Sequence, residues 1–310
     1  MSAGAACAAP RVLLLGADGQ LGWELRRSLL PLGDVVALGR AQADLADASA
    51  LRGLLQRLRP QLVVNAAAYT AVDRAESEPE LAWKVNAEAP RVLAEHAADN
   101  GAWLVHYSTD YVFDGSSDRG WKESDAPRPL NVYGRTKLQG EQAIRGSGCA
   151  HLILRTSWVF AARGSNFAST IARLARERDS LRVVADQVGA PTGAELIADV
   201  TALALHRLLR EPELARANAG LYHLASSGST SWHGYACHVL RHLASRGVAL
   251  RCAAEQVQPI SSSEYPVPAP RPAHSRLDCQ ALQQWLGIGL PPWQPQLERS
   301  LDEAFDLRPT

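Results

Sequence analysis

A tyrosine and a lysine stand four positions apart in NVYGRTKLQGE, residues 131–141. On a helix, Tyr133 and Lys137 would share one face about one turn apart. A cation about 4 Å from a phenolate contributes roughly 4 kcal/mol at an effective dielectric near 20, which is at most about 3 pKa units. The pair therefore predicts a tyrosine with a pKa close to neutrality, where general acid–base catalysis is efficient.

Lysine is rare in this chain. Only Lys84, Lys122 and Lys137 are lysines among the 32 basic residues, and the others are arginines. With seven tyrosines and three lysines, about 0.07 pairs at this spacing are expected by chance. An amphipathic helix can carry an aromatic and a cation without any catalytic role. The retained lysine favours a role that arginine cannot fill, because arginine does not readily release a proton.

A second set of polar residues precedes this helix. Tyr107-Ser108-Thr109-Asp110 ends a predicted strand, at the edge where open α/β sheets bind ligands. A turn-rich loop with two prolines follows, so the next helix is predicted to begin near Asn131, a good N-cap residue. Thr109 could then hydrogen-bond the same substrate oxygen as Tyr133. The three side chains Thr109, Tyr133 and Lys137 are the candidate catalytic set.

The elements that must position these residues alternate between apolar runs and helical stretches. The runs predict strands that are buried on both faces, at residues 11–16, 34–38, 61–67, 102–109 and 151–160. Such alternation predicts an α/β fold with a doubly wound parallel sheet of the Rossmann type, covered by helices.

The regular alternation of predicted strands and helices ends after residue 160, which predicts two domains. We expect a dinucleotide-binding domain over 11–160, with a returning strand near 181–186. A smaller, mixed α/β domain that mainly binds substrate is expected over 161–310, after a disordered tail at 1–10. The Pro/Ser-rich segment 258–275 is too rich in proline for a helix or a central strand.

The first predicted strand ends in a glycine-rich turn. Gly16, Gly19 and Gly22 form G-x-x-G-x-x-G between strand and helix. Glycines at these positions permit a tight turn and the close approach of a pyrophosphate to the backbone. The N–H groups at the start of the helix would then face the phosphates. A glycine turn alone is common, and its place in the first βα unit is what favours a dinucleotide.

The predicted second strand is followed by Gly39-Arg40, without the acidic residue that would bind a ribose 2′-hydroxyl. An arginine there suits a 2′-phosphate, so Arg40 favours NADPH over NADH, although NADH remains possible. Asp44 and Leu45 follow where an adenine edge could rest. The small residues of 65–70 would let a flat cofactor lie against the backbone, and tight packing alone would explain them nearly as well.

Composition excludes several other classes of protein. Formal net charge is zero in 310 residues, which removes the electrostatic footprint of a nucleic-acid-binding protein. No apolar run reaches the roughly 20 residues that span a bilayer, and the first residues do not resemble a signal peptide. Five widely spaced cysteines without a Cys-x-x-Cys motif favour reduced thiols in a cytoplasmic protein.

Taken in order, several motifs resemble those of the extended short-chain dehydrogenase/reductases. They are GADGQLGWEL, VNAAAYTAVDRAESEPE, HYSTDYVFDG, LNVYGRTKLQGE, LRTSWVF, GSNFA, VVADQVGAPTGAELIAD and RPAHSRLD, and they run from about residue 11 to the C-terminal end. GAPTGAE, STDYVF and LNVYGRTK together are similar to the branch that reduces 4-keto-deoxysugar nucleotides. The resemblance implies NADPH-dependent reduction of dTDP-4-dehydro-β-L-rhamnose to dTDP-β-L-rhamnose.

The resemblance also implies roles for individual residues. Tyr133 would protonate the oxygen at carbon 4 of the sugar, and Lys137 would lower its pKa and hold the nicotinamide ribose. Asp110 and Trp158 would contact the sugar, and core packing on a strand is the less favoured explanation for Trp158. Weaker candidates for holding the nucleotide diphosphate are Asn166, Phe167, Gln187 and Arg271. Positions that match cofactor contacts of the family are Gly19, Gln20, Leu21, Asp44, Leu45, Ala68, Tyr69, Thr70 and Tyr107.

The family resemblance further implies a homodimer that depends on Mg²⁺. The matching acidic positions are Glu24, Glu195 and Glu303, which sequence patterns alone would not group. Carboxylate oxygens are suitable ligands for Mg²⁺. A solvated surface position is the ordinary explanation for each of the three.

Other interpretations remain open at this point. His238 and His242 have the spacing of a zinc site on a helix, but a third ligand is missing and a partly buried pair is more usual. Epimerisation of a nucleotide sugar with a retained NAD is one alternative function. A non-catalytic subunit that binds NADP and regulates another enzyme, methionine adenosyltransferase, is another. The complete set of Thr109, Tyr133 and Lys137 favours an oxidoreductase.

Overall fold

The computed structural model describes residues 9–211 and 217–307. Most of the predicted tail, including Cys7, lies outside the described residues. Twelve strands are formed in these ranges: β1 Arg11–Leu15, β2 Asp34–Leu38, β3 Leu62–Asn65, β4 Trp103–Thr109, β5 Ala150–Thr156, β6 Val159–Phe160, β7 Leu181–Val184, β8 Val188–Gly189, β9 Thr192–Gly193, β10 Gly220–His223, β11 Thr230–Ser231 and β12 Val257–Ile260.

The helices are α1 Gln20–Ser28, α2 Ala48–Leu58, α3 Val72–Ala75, α4 Pro79–Trp83, α5 Ala89–Asn100, α6 Val132–Gly146, α7 Phe167–Glu177, α8 Ala194–Arg210, α9 Trp232–Ser245, α10 Gln280–Leu286 and α11 Trp293–Ala304. A π-helical segment, Lys84–Glu88, joins α4 to α5. Short 3-10 turns occupy Leu30–Leu32, Asp110–Val112, Ala254–Gln256 and Ser262–Glu264. Within the described ranges, no helix is both long and apolar enough to cross a membrane.

Six parallel strands form the main sheet in the order β10-β5-β4-β3-β1-β2. Successive side chains of a strand point to opposite faces, so the side chains of β1 pack in two hydrophobic cores, one on each face of the sheet. Val12 and Leu14 pack with α1 and α8 on one face. Leu13 and Leu15 pack with α2 and α5 on the other. The predicted doubly wound fold is confirmed.

The sixth strand of the main sheet is not the one that the sequence predicted. A strand does form close to 181–186, as β7, but it pairs in parallel with β12 in a separate two-stranded sheet. The main sheet is completed by β10, which pairs with β5. The apolar run of β7 favoured a central strand, whereas β10 is a short GLYH run that is mostly half-buried and gave no clear strand signal.

Residues after 160 contribute to two parts of the molecule. Helix α8 packs on α1, and β10 extends the main sheet. Helices α7, α9 and α11 enclose a separate core with β7 and β12, around Tyr235, Leu240 and Leu297. The strand predicted over 151–160 is also divided, because β5 ends at Thr156 and β6 pairs with β9 instead.

Candidate active site

The strand order reverses between β1 and β3, which places the ligand crevice of a doubly wound sheet at their carboxyl ends. Gly16 follows β1 with a φ of +77°, and a Cβ there would lie 2.6 Å from the amide nitrogen of Ala67. The loops after β1 and β3 therefore touch, and only glycine allows this approach.

The glycine turn is closed on itself. Gly19 N donates to the Gly16 carbonyl at 3.0 Å, and a Cβ at Gly22 would overlap that same carbonyl. Helix α1 begins at Gln20, and no side chain caps it at Gly19. The N–H groups of its first turn therefore remain for a ligand, so the turn fits the pyrophosphate of a dinucleotide. Leu21 turns toward the core instead.

The positions after β2 differ in what they can contact. The side chain of Arg40 is 80% exposed, and its Nε lies 4.0 Å from Asp44 Oδ1. The two residues thus form an ion pair just after the end of β2. Leu45 is buried in the core beneath α2, so its side chain is not open to a cofactor. An exposed arginine at the end of β2 suits a 2′-phosphate.

The loop after β3 is held by an asparagine that sequence reasoning missed. Asn86 Oδ1 accepts from Tyr69 N at 2.9 Å, and Asn86 Nδ2 donates to Tyr69 O at 3.0 Å. The Tyr69 hydroxyl donates to Glu78 Oε2 at 2.5 Å. Ala68 and Thr70 flank this clamp, which fixes the backbone that would face the cofactor.

Helix α6 places Tyr133 in its first turn, as predicted. Asn131 is the N-cap, and its Oδ1 accepts from Gly134 N at 2.8 Å. Its Nδ2 donates to Pro270 O at 2.8 Å, which ties the start of the helix to the C-terminal part of the chain. Because the cap fixes the first turn, the phenol is held at the carboxyl edge of the sheet.

The expected near-neutral pKa of Tyr133 is wrong for the cofactor-free protein. Burial raises the pKa of Tyr133 to about 12, a hydrogen bond with Thr109 lowers it in part, and the charge of Asp110 raises it. Desolvation disfavours the phenolate, and Lys137 is directed to other partners. Tyr133 therefore holds its proton at neutral pH, which is the form that a proton donor needs.

Lys137 is almost completely buried beneath Tyr133, one turn along the helix. Its Nζ donates to the carbonyl oxygen of Tyr107 at 2.7 Å and lies 3.2 Å from His106 Nε2. Burial lowers the pKa of Lys137 to about 8, and the charge of Glu141 partly offsets this. Burial and Lys137 together lower the pKa of His106 well below its usual value, so the imidazole is neutral.

Tyr107 contributes its main chain to this site, because its side chain turns into the core. Its hydroxyl lies 2.9 Å from Thr201 Oγ1 on α8. The main-chain carbonyl of Tyr107 accepts from Lys137 Nζ at 2.7 Å.

Thr109 and Asp110 lie beside Tyr133. Thr109 Oγ1 donates to Asp110 Oδ1 at 3.0 Å, and Ser157 Oγ donates to Asp110 Oδ2 at 3.2 Å. Burial raises the pKa of Asp110 to about 6, although these hydroxyls lower it in part. The site thus holds a buried carboxylate that Thr109 links to the phenol.

An ion pair beneath the catalytic helix was also missed. Arg155 on β5 binds Glu141 on α6 through Nη2 at 2.6 Å and Nε at 2.8 Å, and both side chains are 1% exposed. Ser108 Oγ donates to Glu141 Oε1, which fixes the residue before Thr109. The sequence did carry a signal for this pair, because Arg155 stands within the apolar run of β5 and a buried charge requires a partner.

Trp158 lies between β5 and β6, and its backbone has a left-handed φ of +47°. Its ring stacks on Trp232 with centroids 3.5 Å apart, and a Cβ at Gly189 would lie 2.5 Å from Cε2 of Trp158. A bulky residue in this conformation is strained, and such strain often accompanies a functional position. Trp158 is half-buried and packs against the second core, and it follows Ser157, whose hydroxyl donates to Asp110.

Three of the remaining substrate candidates contact α7 or Trp232 at the second core. Asn166 caps α7 and donates through Nδ2 to Gln20 Oε1 at 3.0 Å, which joins the glycine turn to the second core. Phe167 packs on Trp232 with centroids 4.6 Å apart. Gln187 Oε1 accepts from Trp232 Nε1 at 3.1 Å.

Arg271 is already paired by a carboxylate. Its Nη2 lies 2.8 Å from Asp73 Oδ2 and its Nη1 lies 3.0 Å from Oδ1. Bidentate pairs of this kind hold the guanidinium in place. The charge of Arg271 also acts on Tyr111, whose ring meets that of Tyr133 edge-on at 5.7 Å. Arg271 is therefore oriented near the candidate site but is partly neutralised.

The three predicted metal ligands approach one another without forming a metal site. Burial raises the pKa of Glu24, with further raising by the charges of Glu195 and Glu303. Arg299 Nη1 lies 3.3 Å from Glu195 Oε2 and competes for that carboxylate. Over residues 9–211 and 217–307, no three acidic, histidine or cysteine side chains are grouped closely enough to hold a metal. The described residues of a single chain thus do not form a Mg²⁺ site.

The histidine pair on α9 has structural partners instead of zinc. His238 Nε2 lies 2.9 Å from Glu298 Oε1, and His242 Nε2 lies 2.8 Å from Asp302 Oδ1. Each imidazole thus joins α9 to α11 through its own carboxylate. The interpretation as a partly buried helical pair is confirmed.

Comparisons with known proteins agree with this geometry. The family model for the RmlD substrate binding domain matches residues 10–305. The dTDP-4-dehydrorhamnose reductase of Salmonella typhimurium is 48% identical over 298 residues, which covers 95% of this chain and 98% of the relative. The enzyme of that name from Burkholderia thailandensis is 49% identical over 284 residues, 92% of this chain and 95% of the relative.

Solved structures give the same result. A dTDP-4-dehydrorhamnose reductase of Bacillus anthracis, in complex with NADP, has a TM-score of 0.82 at 33% identity and covers 95% of this chain and 99% of its own. One from Clostridium acetobutylicum has a TM-score of 0.84 at 33% identity, covering 94% and 98%. Since the family model and the relatives span nearly the whole chain, the protein belongs to the RmlD family, whose members compared here are dTDP-4-dehydrorhamnose reductases.

Proposed function

We propose that this protein reduces dTDP-4-dehydro-β-L-rhamnose to dTDP-β-L-rhamnose with NADPH. One observation carries the proposal: Thr109 hydrogen-bonds Tyr133 at the carboxyl edge of the sheet, Lys137 is buried one turn along the same helix, and the glycine turn that fits a dinucleotide follows β1 at that edge. Fold alone would not choose a reaction, because many activities share this architecture. The names of the relatives supply the substrate, and the NADP held by the Bacillus anthracis protein supports the cofactor.

Each residue of the set has a chemical role in this proposal. NADPH, when bound, supplies the hydride for carbon 4 of the sugar. Tyr133 carries the proton for the oxygen at that carbon, and its raised pKa keeps the proton in place at neutral pH. Thr109 shares a hydrogen bond with the phenol and can orient the same oxygen. Lys137 supplies positive charge beneath the ribose position, fixed by Tyr107 O.

The substrate would be held by residues from both cores. Asp110, which accepts from Thr109, and Trp158, which stacks on Trp232, are proposed to contact the sugar ring. Asn166, Phe167, Gln187 and Arg271 are proposed to line the part of the site that takes the nucleotide diphosphate. Because Arg271 already binds Asp73, we expect it to contribute less than an unpaired arginine would.

We also propose a homodimer in a reducing, cytoplasmic compartment. Trp23, Leu30 and Leu203 are exposed by 40%, 64% and 52% on α1, the turn after it and α8, which pack together. Apolar side chains exposed on neighbouring elements support an interface there. Cys149, Cys237, Cys252 and Cys279 are buried and unpaired, as expected for reduced thiols.

Sizing chromatography of wild type and Leu203→Glu tests the dimer, and a second run with EDTA tests whether any divalent ion is needed. We expect the variant alone to elute as a monomer, with EDTA changing nothing because the described residues of one chain do not group three metal ligands. A dimeric variant would place the interface elsewhere, and dissociation of wild type by EDTA would restore the metal prediction.

The activity is tested by following dihydronicotinamide absorbance with purified protein, NADPH and the 4-keto-sugar nucleotide. We expect one NADPH to be consumed per sugar reduced. Sugar conversion without net consumption of NADPH would indicate an epimerase. Tight binding of NADPH without any turnover would indicate a regulatory subunit. Either result would overturn the proposal.

A further inference from the structure

Three buried side chains form a chain of contacts beneath the catalytic edge of the sheet. Asn65 ends β3, and His106 is its register partner on β4. Asn65 Nδ2 lies 3.2 Å from His106 Nδ1, and His106 Nε2 lies 3.2 Å from Lys137 Nζ. Each of the three residues is 1% exposed. Because water does not reach these contacts, each donor among them needs an acceptor within the protein.

The orientation of the Asn65 amide is fixed by the main chain. Asn65 Oδ1 accepts from Ala67 N at 3.2 Å. The loop that carries Ala67 touches Gly16 of the dinucleotide turn, so this N–H has little room to move away. Since the side-chain oxygen faces Ala67, the NH₂ group faces His106, and an NH₂ group of this kind can only donate.

This orientation decides where His106 carries its proton. Burial and the charge of Lys137 lower the pKa of His106 well below its usual value, so the imidazole has a single N–H. His106 Nδ1 accepts from Asn65, which places that proton on Nε2. The Nε2–H then points at Lys137 Nζ. An ammonium group only donates, whereas a neutral amine has a lone pair that can accept this hydrogen.

Protonation of Lys137 therefore breaks a buried hydrogen bond. With an ammonium at Lys137, two donors face each other across 3.2 Å. Moving the ring proton of His106 to Nδ1 would relieve that contact, but the Asn65 amide would then have to turn over. Its NH₂ group would face Ala67 N, which is also a donor. A buried donor without an acceptor is costly, so the amine form satisfies this set of contacts better than the ammonium form.

The other groups around Lys137 act in both directions. Burial lowers the pKa of Lys137 to about 8, and the charge of Glu141, one turn further along α6, raises it in part. Arg155 on β5 binds Glu141 and weakens this effect. From β4, the Tyr107 carbonyl accepts from Nζ at 2.7 Å, which either form of the lysine can satisfy. The N–H of the imidazole thus acts in the same direction as burial.

We propose that Asn65 and His106 are positioning residues of the reduction: Asn65 keeps the His106 proton on Nε2, and this N–H favours the amine form of Lys137. The two residues thereby set the alkaline limit of the reaction, because the role of Lys137 requires its positive charge. This kinetic consequence rests on the proposed function, whereas the proton positions are properties of the free protein.

The first test reads the proton positions in the full chain without cofactor. Nitrogen NMR of labelled histidine distinguishes a ring protonated on Nε2 from one protonated on Nδ1. We expect the Nε2–H form for His106. His223 is the internal control for the opposite form, because its Nδ1 lies 2.9 Å from the Trp121 carbonyl and its Nε2 lies 3.5 Å from Arg155 Nη1. An Nδ1–H form for His106 would overturn the inference, whatever the activity.

The second test follows the charge of Lys137 by carbon NMR of labelled lysine. The chain has three lysines, and Lys84 and Lys122 are exposed and give reference signals. In Asn65→Asp the carboxylate accepts both from Ala67 N and from an Nδ1–H of the imidazole, which frees Nε2 to accept from the ammonium. We expect the titration midpoint of Lys137 to rise by about one pH unit or more, and the alkaline fall of kcat/KM to move with it.

The tautomer separates this mechanism from a direct effect of the new charge. In Asn65→Asp the His106 signal should change to the Nδ1–H form. A higher midpoint without that change would show that the carboxylate acts on Lys137 directly, and it would overturn the inference. An unchanged midpoint in the folded variant would do the same and leave the reductase proposal intact.

Asn100→Asp is the matched control. Asn100 Nδ2 lies 3.3 Å from His96 Nδ1, the same kind of contact, at the exposed end of α5 just before β4 begins. This variant should change neither the midpoint of Lys137 nor the pH profile. If Asn65→Asp does not fold, the wild-type histidine spectrum still decides where the proton lies. If the wild type shows the Nε2–H form but reduces no sugar, the proposed function fails while the proton assignment stands.

Discussion

Nζ of Lys137 lies 3.2 Å from Nε2 of His106 and 2.7 Å from the carbonyl oxygen of Tyr107, inside a site where the lysine side chain is 1% exposed. The other ring nitrogen of His106 lies 3.2 Å from Asn65 Nδ2 on the neighbouring strand. The ammonium is therefore held by the sheet rather than by the phenol of Tyr133. Its position depends on residues of β3 and β4 that lie beneath the catalytic edge.

The first prediction concerns pH. Because burial lowers the pKa of Lys137 to about 8, the lysine is a cation below that pH and neutral above it. We expect kcat/KM to fall as pH rises through about 8, since kcat/KM reports groups of the free enzyme. Lys137→Arg keeps the positive charge, so its remaining activity should show no such decline. An identical decline in both proteins would assign it to another group.

The second prediction concerns the proton donor. Tyr133→Phe removes the hydroxyl and should lower kcat by about 10²–10⁴-fold, the usual contribution of general acid catalysis. The dissociation constant for NADPH should not change, because the glycine turn is intact. Tyr265→Phe removes an exposed phenol and serves as the control. Equal turnover by Tyr133→Phe and wild type would remove Tyr133 from the chemistry.

The third prediction concerns the buried carboxyl of Asp110, whose pKa is raised from 3.8 to about 6. Between these values the folded protein binds more protons than the unfolded chain, so its stability falls as pH rises from about 4 to 6. The loss amounts to about 3 kcal/mol. Asp110→Asn should therefore be more stable than wild type at pH 7, by up to about that amount.

Urea denaturation of both proteins, at neutral pH and below about pH 4, measures this difference in the free energy of unfolding. Asp110→Asn should be the more stable protein at neutral pH, and the difference should vanish in acid. The asparagine can still accept from Thr109, so the hydrogen bonds of the site are largely kept. Asp99→Asn, on the surface, should change stability by less than about 0.5 kcal/mol. A variant that is destabilised at neutral pH would show that the charged form of Asp110 is favourable here.

The fourth prediction concerns the ion pair beneath the site. Glu141→Gln leaves Arg155 buried with a neutral partner and should cost about 3–5 kcal/mol in the free energy of unfolding. The exposed pair of Arg182 and Glu264, with the same kind of contact at 2.8 Å, is the control. Glu264→Gln should cost less than about 1 kcal/mol in urea denaturation. Similar costs for both variants would mean that burial adds little at Glu141.

Much of the fold followed from local patterns. The apolar runs of β1 to β5 were predicted because a strand buried on both faces needs a continuous hydrophobic stretch. The first turn of α6 was predicted because Asn131 satisfies a backbone N–H that every helix start leaves open. The glycine turn was predicted for a similar reason, since Gly16 and Gly22 leave no room for a Cβ.

The sequence by itself therefore determined the parallel sheet, the dinucleotide turn and the spacing of Tyr133 and Lys137, all of which depend on neighbours along the chain. Only the tertiary structure decided that Lys137 meets His106, that Glu141 meets Arg155, and that β10 instead of β7 completes the sheet. It also decided that Asp18 lies against Gly39. These contacts join residues far apart in the chain, and periodicity reports which face of an element is buried but not which partner it meets.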